Sequence, residues 1–285
     1  MNKQLLFLLT LLPILSFSGC VVIDDGADVR GSGNALSEER TVAAFTGVSV
    51  CCGMQLILTQ EEVTRVEIEA EDNLLPHILS QVRGERLVVE FEEGRATDYR
   101  PTLPIRVRVS APTIRTLALS GGSRLTATAL TTTELVLELS GGSQGNLISL
   151  VAERLELELS GGSELVGAAV ETATVEIEGS GASQLAFEEL TGDRLTLELS
   201  GGGEMSVDGG RVAGQQIILS GGSSYTAGEL QSAQTEINGN GDATVWATEA
   251  LTVDLSGSGT VDYFGSPEVS QELSGGAQIR ARGER

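Results

Sequence analysis

Through the second half of the chain, apolar and polar residues alternate with a period of two. Leu135, Leu137 and Leu139 are separated by Val136 and Glu138, and Leu155, Leu157 and Leu159 by Glu156 and Glu158. A period of two puts every second side chain on one face of a strand, and the leucines mark the buried face. Each alternation ends in the same short sequence. Leu119-Ser120-Gly121-Gly122-Ser123 returns at 139–143, 159–163 and 219–223, with looser copies at 179–183, 199–203 and 239–243, so that seven copies stand 20 residues apart. Two more copies, beginning at Leu255 and Leu273, follow after 16 and 18 residues.

Beyond each glycine pair a second short strand is predicted, with Leu125, Leu165, Leu185, Met205, Val245 and Val261 inward. A third apolar position recurs at Leu130, Leu150, Val170, Leu190 and Leu230. Nothing with helical period joins these strands, and turn signals at both ends of paired strands are lacking. One coil per repeat, stacked in register at about 4.8 Å, accounts for the pattern. The predicted fold class is all-β: a single-stranded right-handed parallel β-helix with an irregular N-terminal β cap. The Ser-Gly-Gly segment is the corner, where glycine supplies positive φ. The first serine of each corner (Ser120, Ser140, Ser160, Ser180, Ser200 and Ser220, then Ser256 and Ser274) is expected to stack into structural hydroxyl ladders.

Residues 41–110 depart from the repeat. Val48–Val50, Met54–Leu58, Arg65–Glu69 and Leu87–Phe91 read as strands, and Leu74–Val82 as a helical turn. Solenoid ends need atypical structure to cover open sheet edges. The chain therefore divides into a signal peptide (1–19), a flexible tether (20–38), a cap or irregular first coils (39–112) and the β-helix (113–285). In the leader, Lys3 precedes the apolar run Leu5–Leu15, and Ser18 and Gly19 precede Cys20. The segment Phe17-Ser18-Gly19-Cys20 resembles a lipobox, in which the cysteine is lipidated. This predicts a lipoprotein anchored to a membrane through Cys20. Val21, where aspartate would signal inner-membrane retention, points to the outer membrane.

Charge narrows the function classes. The net charge is −22, and residues 131–279 carry 23 acidic side chains against Arg154, Arg194 and Arg211, a balance of −20. Such a field repels nucleic acid, so no nucleic-acid partner is expected. Cys51 and Cys52 are the only cysteines besides Cys20, and His77 is the only histidine, which leaves no zinc or haem constellation. The adjacent pair could form a vicinal disulfide or stay reduced; strand alternation favours one buried and one exposed thiol. Gly141-Gly142-Ser143-Gln144-Gly145 matches G-x-S-x-G, but a nucleophile elbow needs a strand-to-helix turn and a histidine partner. Neither is indicated. Tyr225 and Trp246 are expected in the core, with Tyr263 as a further aromatic.

The acidic columns remain. In stacked coils Glu138, Glu158, Glu178 and Glu198 form an outward ladder, beside Glu156 and Glu176. Neighbouring carboxylates at this spacing repel by about 1 kcal/mol even in water. Salt, partial protonation or weakly bound Ca2+ would relieve that repulsion, and no other cofactor is expected.

The order of segments now resembles a family. Gly31-Ser32-Gly33-Asn34 is followed by Phe45-Thr46-Gly47-Val48-Ser49-Val50, Leu56-Ile57-Leu58-Thr59-Gln60 and Glu69-Ala70-Glu71-Asp72-Asn73-Leu74-Leu75-Pro76. The series of Leu-Ser-Gly-Gly-Ser coils comes after. Over residues 40–280 this is similar to the auto-transporter adhesin, head GIN domain family (DUF2807). The resemblance implies a β-helical fold and an envelope location, and assigns no functional residues. The expected function is a non-catalytic adhesion or surface-interaction module with an envelope glycan or protein partner. A polysaccharide-active β-helix enzyme and a purely structural envelope protein are the alternatives.

Overall fold

The computed structural model describes residues 28–92 and 98–284. Among these the architecture is a β-solenoid of stacked parallel coils. Arg124–Leu139, Gln144–Leu159, Glu164–Gly179 and Gln184–Leu199 pair in parallel with a constant offset, Leu137 beside Leu157, Ile177 and Leu197. Within each coil the ladder skips two positions, for example 128 and 133, so the coil turns through three short faces before reaching the glycine corner.

The alternating pattern fills the interior. Leu135, Leu155, Val175 and Leu195 stack in one buried column, and Leu137, Leu157, Ile177, Leu197 and Ile217 in another. Column positions compensate one another in size. Leu147, Gly167 and Phe187 are successive members, and a Cβ on Gly167 would lie 2.7 Å from Phe187 Cδ1. The glycine thus makes room for the ring of the next coil. At the corners Gly121 and Gly141 have φ near +62° and +63°, and a Cβ on Gly141 would stand 3.2 Å from the Gly121 nitrogen. Glycine is therefore required there both for its conformation and for its lack of a side chain.

The first serines of the corners stack as expected, with Ser140, Ser200 and Ser220 Oγ donating to carbonyls of the preceding coil at 3.4–3.5 Å, but the buried hydroxyls belong to the other serine of the corner. Ser123, Ser143, Ser163, Ser183 and Ser223 are buried, whereas the first serines lie at or near the surface. The Oγ of Ser123, Ser143, Ser163 and Ser223 donates to the carbonyl oxygen three residues back, at 2.7–2.9 Å. The tight corner turns that carbonyl inward, where a hydroxyl is its nearest donor.

The N-terminal segments reorder the stack. Gly47–Val50 pairs in parallel with both Arg86–Phe91 and Thr116–Leu119, and Gln55–Gln60 with both Arg106–Ala111 and Arg124–Leu139. The coil first in sequence is thus second in space. The chain leaves it, builds the end of the solenoid, and returns past it. Gln60 bridges the gap: its Nε2 donates to Pro112 O and Thr131 O, and its Oε1 accepts from Thr131 N. Beyond this coil, Ala35–Glu39, Arg65–Glu71 and Arg106–Ala111 form an antiparallel group.

Two expectations change here. The predicted helical turn is a short 3-10 turn, Leu75–His77, followed by the strand Ile78–Arg83, which forms a hairpin with Arg86–Phe91. Residues 28–38, expected in the flexible tether, belong to the folded body. Val29–Arg30 pairs with Tyr99–Arg100, and Ala35–Glu39 with Arg65–Glu71.

At the other end the coils shorten. Asn240-Gly241 replaces a four-residue corner, and the register slips between Ala227 and Gln231. The last strands are Glu268–Leu273 and Gln278–Ala281, each paired along one edge only among the described residues.

Candidate interaction surface

The acidic ladder forms as expected. Glu138 is in register with Glu158, Glu158 with Glu178 and Glu178 with Glu198, on a face whose next members are Ile218 and Asn238. Together with Ser140, Ser160, Ser180 and Ser200 they line an open groove of about 330 Å³. The inner column is different. Glu156 and Glu176 are bridged by Arg154, which bonds Glu176 directly, lies 3.6 Å from Glu156 and reaches Glu134 at 3.8 Å. One arginine therefore supplies the counter-charge for the inner pair. Among the described residues, only Glu138 of the outer column has a cation nearby, Arg86 at 3.8 Å. Among the described residues no three His, Cys, Asp or Glu side chains converge as a metal cage. The ladder is a row of separate carboxylates, which suits diffuse cation attraction or repeated weak bridging.

Cys51 and Cys52 are bonded to one another. The expectation of one buried and one exposed thiol fails because the pair lies on a corner, where strand alternation does not apply. Cys52 has φ +66° and takes the place that Gly121 holds one coil later; Cys51 is partly exposed and Cys52 exposed. Ser143 of the G-x-S-x-G match is sealed in the wall and donates to Ser140 O. His77 sits in the N-terminal region, 2.6 Å from Glu92, with Tyr99 bonded to the same carboxylate. The His77 bond holds the Glu92 carboxyl below its ordinary pKa against a smaller opposing effect of burial. Cys20 lies outside the described residues.

Two polar clusters escaped the sequence reading. The first joins the two N-terminal segments that carried the family resemblance. Glu71 is fully buried and accepts from Gly33 N at 2.8 Å, Thr102 N at 2.9 Å and Thr102 Oγ1 at 2.5 Å. Burial alone would raise its pKa, but the hydrogen bonds from Thr102, Gly33 and Leu103 outweigh it and hold the carboxyl below its ordinary value. A Cβ on Gly31 would collide with this carboxylate. Asn73 and Asp72 fasten the same strap, through Ser32 and the Arg30 carbonyl. The signal was a pair of short polar segments far apart in the chain.

The second cluster lies inside the solenoid. Tyr225 Oη donates to Gln215 Oε1 at 2.8 Å, and Gln215 Nε2 donates to Ser232 Oγ at 2.9 Å and Thr235 Oγ1 at 3.0 Å. Gln215 and Thr235 interrupt the column that runs from Leu195 to Leu251, which was the available signal. Tyr225 is in the core as expected. Trp246 is not; it is half-buried on the outside, whereas Tyr263 continues the inward column of Val245 and packs half-buried against the core.

Solved structures share this fold. A protein described as a "putative lipid binding protein" from Parabacteroides distasonis superposes with TM-score 0.72 at 17% identity, over 89% of this chain and 99% of its own. A "putative adhesin" from Parabacteroides merdae gives 0.65 at 19% over 90% and 99%, and one from P. distasonis 0.65 at 20% over 89% and 99%. No protein of curated function matches. The profile described as "Putative auto-transporter adhesin, head GIN domain" matches residues 44–208 and 165–267. With its coils, its corner repeat and its interlocked N-terminal segments, the chain belongs to the auto-transporter adhesin, head GIN domain (DUF2807) family.

Proposed function

We propose that the chain is a lipid-anchored envelope protein whose solenoid is a non-catalytic adhesion or surface-interaction module. The observation that carries this reading is the periodic outer face: four glutamates in register, one per coil, at about 4.8 Å. A rigid row of identical groups suits an extended partner, because each added contact is made without further ordering of the protein. The partner is an envelope glycan or protein, and Ca2+ held weakly between ladder and partner is the bridging ion. Membership of a family described by the word adhesin agrees with this. The anchor is lipidated Cys20 at the outer membrane, supported by the Phe17–Cys20 segment and by entry of the chain into the solenoid at its N-terminal end.

Binding to a glycan and matrix-protein array, in Ca2+ and in chelator, tests the reading. The expected result is saturable binding that falls several-fold in Glu158→Gln/Glu178→Gln. Silence on every surface would favour a structural envelope protein, and release of a glycan product would favour an enzyme. A melting temperature in Ca2+ equal to that in a control of matched ionic strength would remove the bridging ion from the proposal.

A further inference from the structure

The last coil presents an unfinished surface. Val269, Gln271 and Leu273 continue the buried columns of Leu251, Val253 and Leu255, and Ile279 continues that of Val261. Yet Val269 is 38% exposed and Leu273 39%. Among the described residues, Glu268–Leu273 and Gln278–Ala281 also leave one row of backbone N–H and C=O groups unpaired, a surface that accepts another strand. Among the described residues Glu272 has no cationic partner, and Arg280 bonds only Gln278. Arg282, by contrast, is already held by Asp262 at 2.8 Å.

We infer that this end is a self-complementary interface through which two copies of the chain associate tail to tail. Glu268–Leu273 runs toward the corner at Ser274-Gly275-Gly276-Ala277, and Gln278–Ala281 runs away from it. A twofold axis through that corner, perpendicular to the solenoid, carries the first strand of one copy onto the edge of the second strand of the other. The two then run antiparallel, as an isologous interface demands. Keeping inward side chains opposite inward ones sets Leu273 against the partner's Ile279 and Gln271 against the partner's Ala281. Glu272 then faces the partner's Arg280, and Ser270 the partner's Arg282. The twofold repeats every contact. Two unpaired charges of opposite sign meet in this register, as do the exposed Leu273 and the half-buried Ile279. Pairing each strand with its own copy would instead leave both Glu272 and Arg280 without the opposite charge that the mixed pairing supplies.

Sedimentation velocity of the full chain in density-matched detergent, across a concentration series, tests the interface. A reversible dimer is expected, with amide exchange in Glu268–Leu273 and Gln278–Ala281 slowing as the dimer forms. Glu272→Arg and Arg280→Glu should each weaken it by roughly tenfold or more, and the two together should restore it. Both positions are exposed, and an unchanged circular dichroism spectrum and melting temperature show that each variant is folded. A monomer at every concentration, a dimer indifferent to the exchanges, or protection confined to other strands would each overturn the inference.

Discussion

The buried cluster around Gln215 permits a quantitative test of what holds the C-terminal half of the solenoid. Gln215→Leu would restore an apolar member between Leu195 and Leu251, but it removes the acceptor of the Tyr225 hydroxyl. Tyr225 is 1% exposed, so its orphaned hydroxyl should cost about 1–3 kcal/mol. Tyr225→Phe orphans Gln215 Oε1 and should cost a similar amount, about 1–3 kcal/mol. In the double variant both partners of the bond are gone. Ser232 and Thr235 still bond each other at 2.5 Å, so no new polar group is stranded by the second change. The double loss should therefore fall short of the sum of the singles by both orphan costs, about 2–6 kcal/mol. Neighbouring coils are coupled mainly to one another. Urea midpoints should accordingly be read beside amide exchange in Gly210–Leu219 and Ser224–Gly239, where the effect must localise. Additivity to within about 0.5 kcal/mol would refute the account of this cluster as one bonded unit.

Other consequences are simpler. Ser143→Ala should cost about 1 kcal/mol in urea unfolding through loss of the bond to the Ser140 carbonyl, whereas Ser140→Ala, nearer the surface, should cost less. The lowered Glu71 pKa gives stability that is present above the ordinary glutamate value of about 4.3 and is lost as pH falls through the depressed folded value. The protection of the Gly33 and Thr102 amides, taken relative to intrinsic exchange at each pH, should accordingly fall on acidification before that of the solenoid amides; a uniform fall would contradict it. Cys20→Ser should move the chain from the membrane to the soluble fraction, with loss of the acyl mass on its N-terminal peptide; unchanged partition would remove the anchor from the proposal.

The repeat was legible because stacking turns sequence spacing into vertical neighbours. Once Leu137, Leu157 and Ile177 were read as one column, both the inward core and the outward row Glu138, Glu158, Glu178 and Glu198 followed. What stayed hidden depended on neighbours that spacing does not name. Alternation cannot tell which corner serine turns inward, since both lie outside the strands, so the burial of Ser123 beside the exposed Ser120 has no signal in the period. Nor does any period report that the coil at Gly47–Gln60 is gripped from both sides, because the strands Arg86–Phe91 and Arg106–Ala111 lie outside the 20-residue register. Cys51-Cys52 misled for a related reason: the pair was judged by strand geometry although it occupies the corner position of the later Ser120-Gly121.

That reordered coil gives the molecule a polarity with a testable consequence. The N-terminal end is covered by the antiparallel strands Ala35–Glu39 and Arg65–Glu71, strapped by Glu71, whereas the C-terminal end keeps its edge strands open. From Arg86–Phe91 up to Glu268–Leu273 the ladder passes through ten steps, roughly 48 Å at about 4.8 Å each. A tail-to-tail pair therefore holds its two N-terminal regions at opposite ends of a rod about twice that length. With the anchor on Cys20, those ends would lie in two apposed membranes. Vesicles bearing the lipidated chain should then cluster, and Arg280→Glu should abolish the clustering while leaving membrane attachment intact. Dimers by sedimentation without vesicle clustering would refute the apposed arrangement and leave the interface standing. Clustering that persists in Arg280→Glu would instead direct attention back to the acidic face.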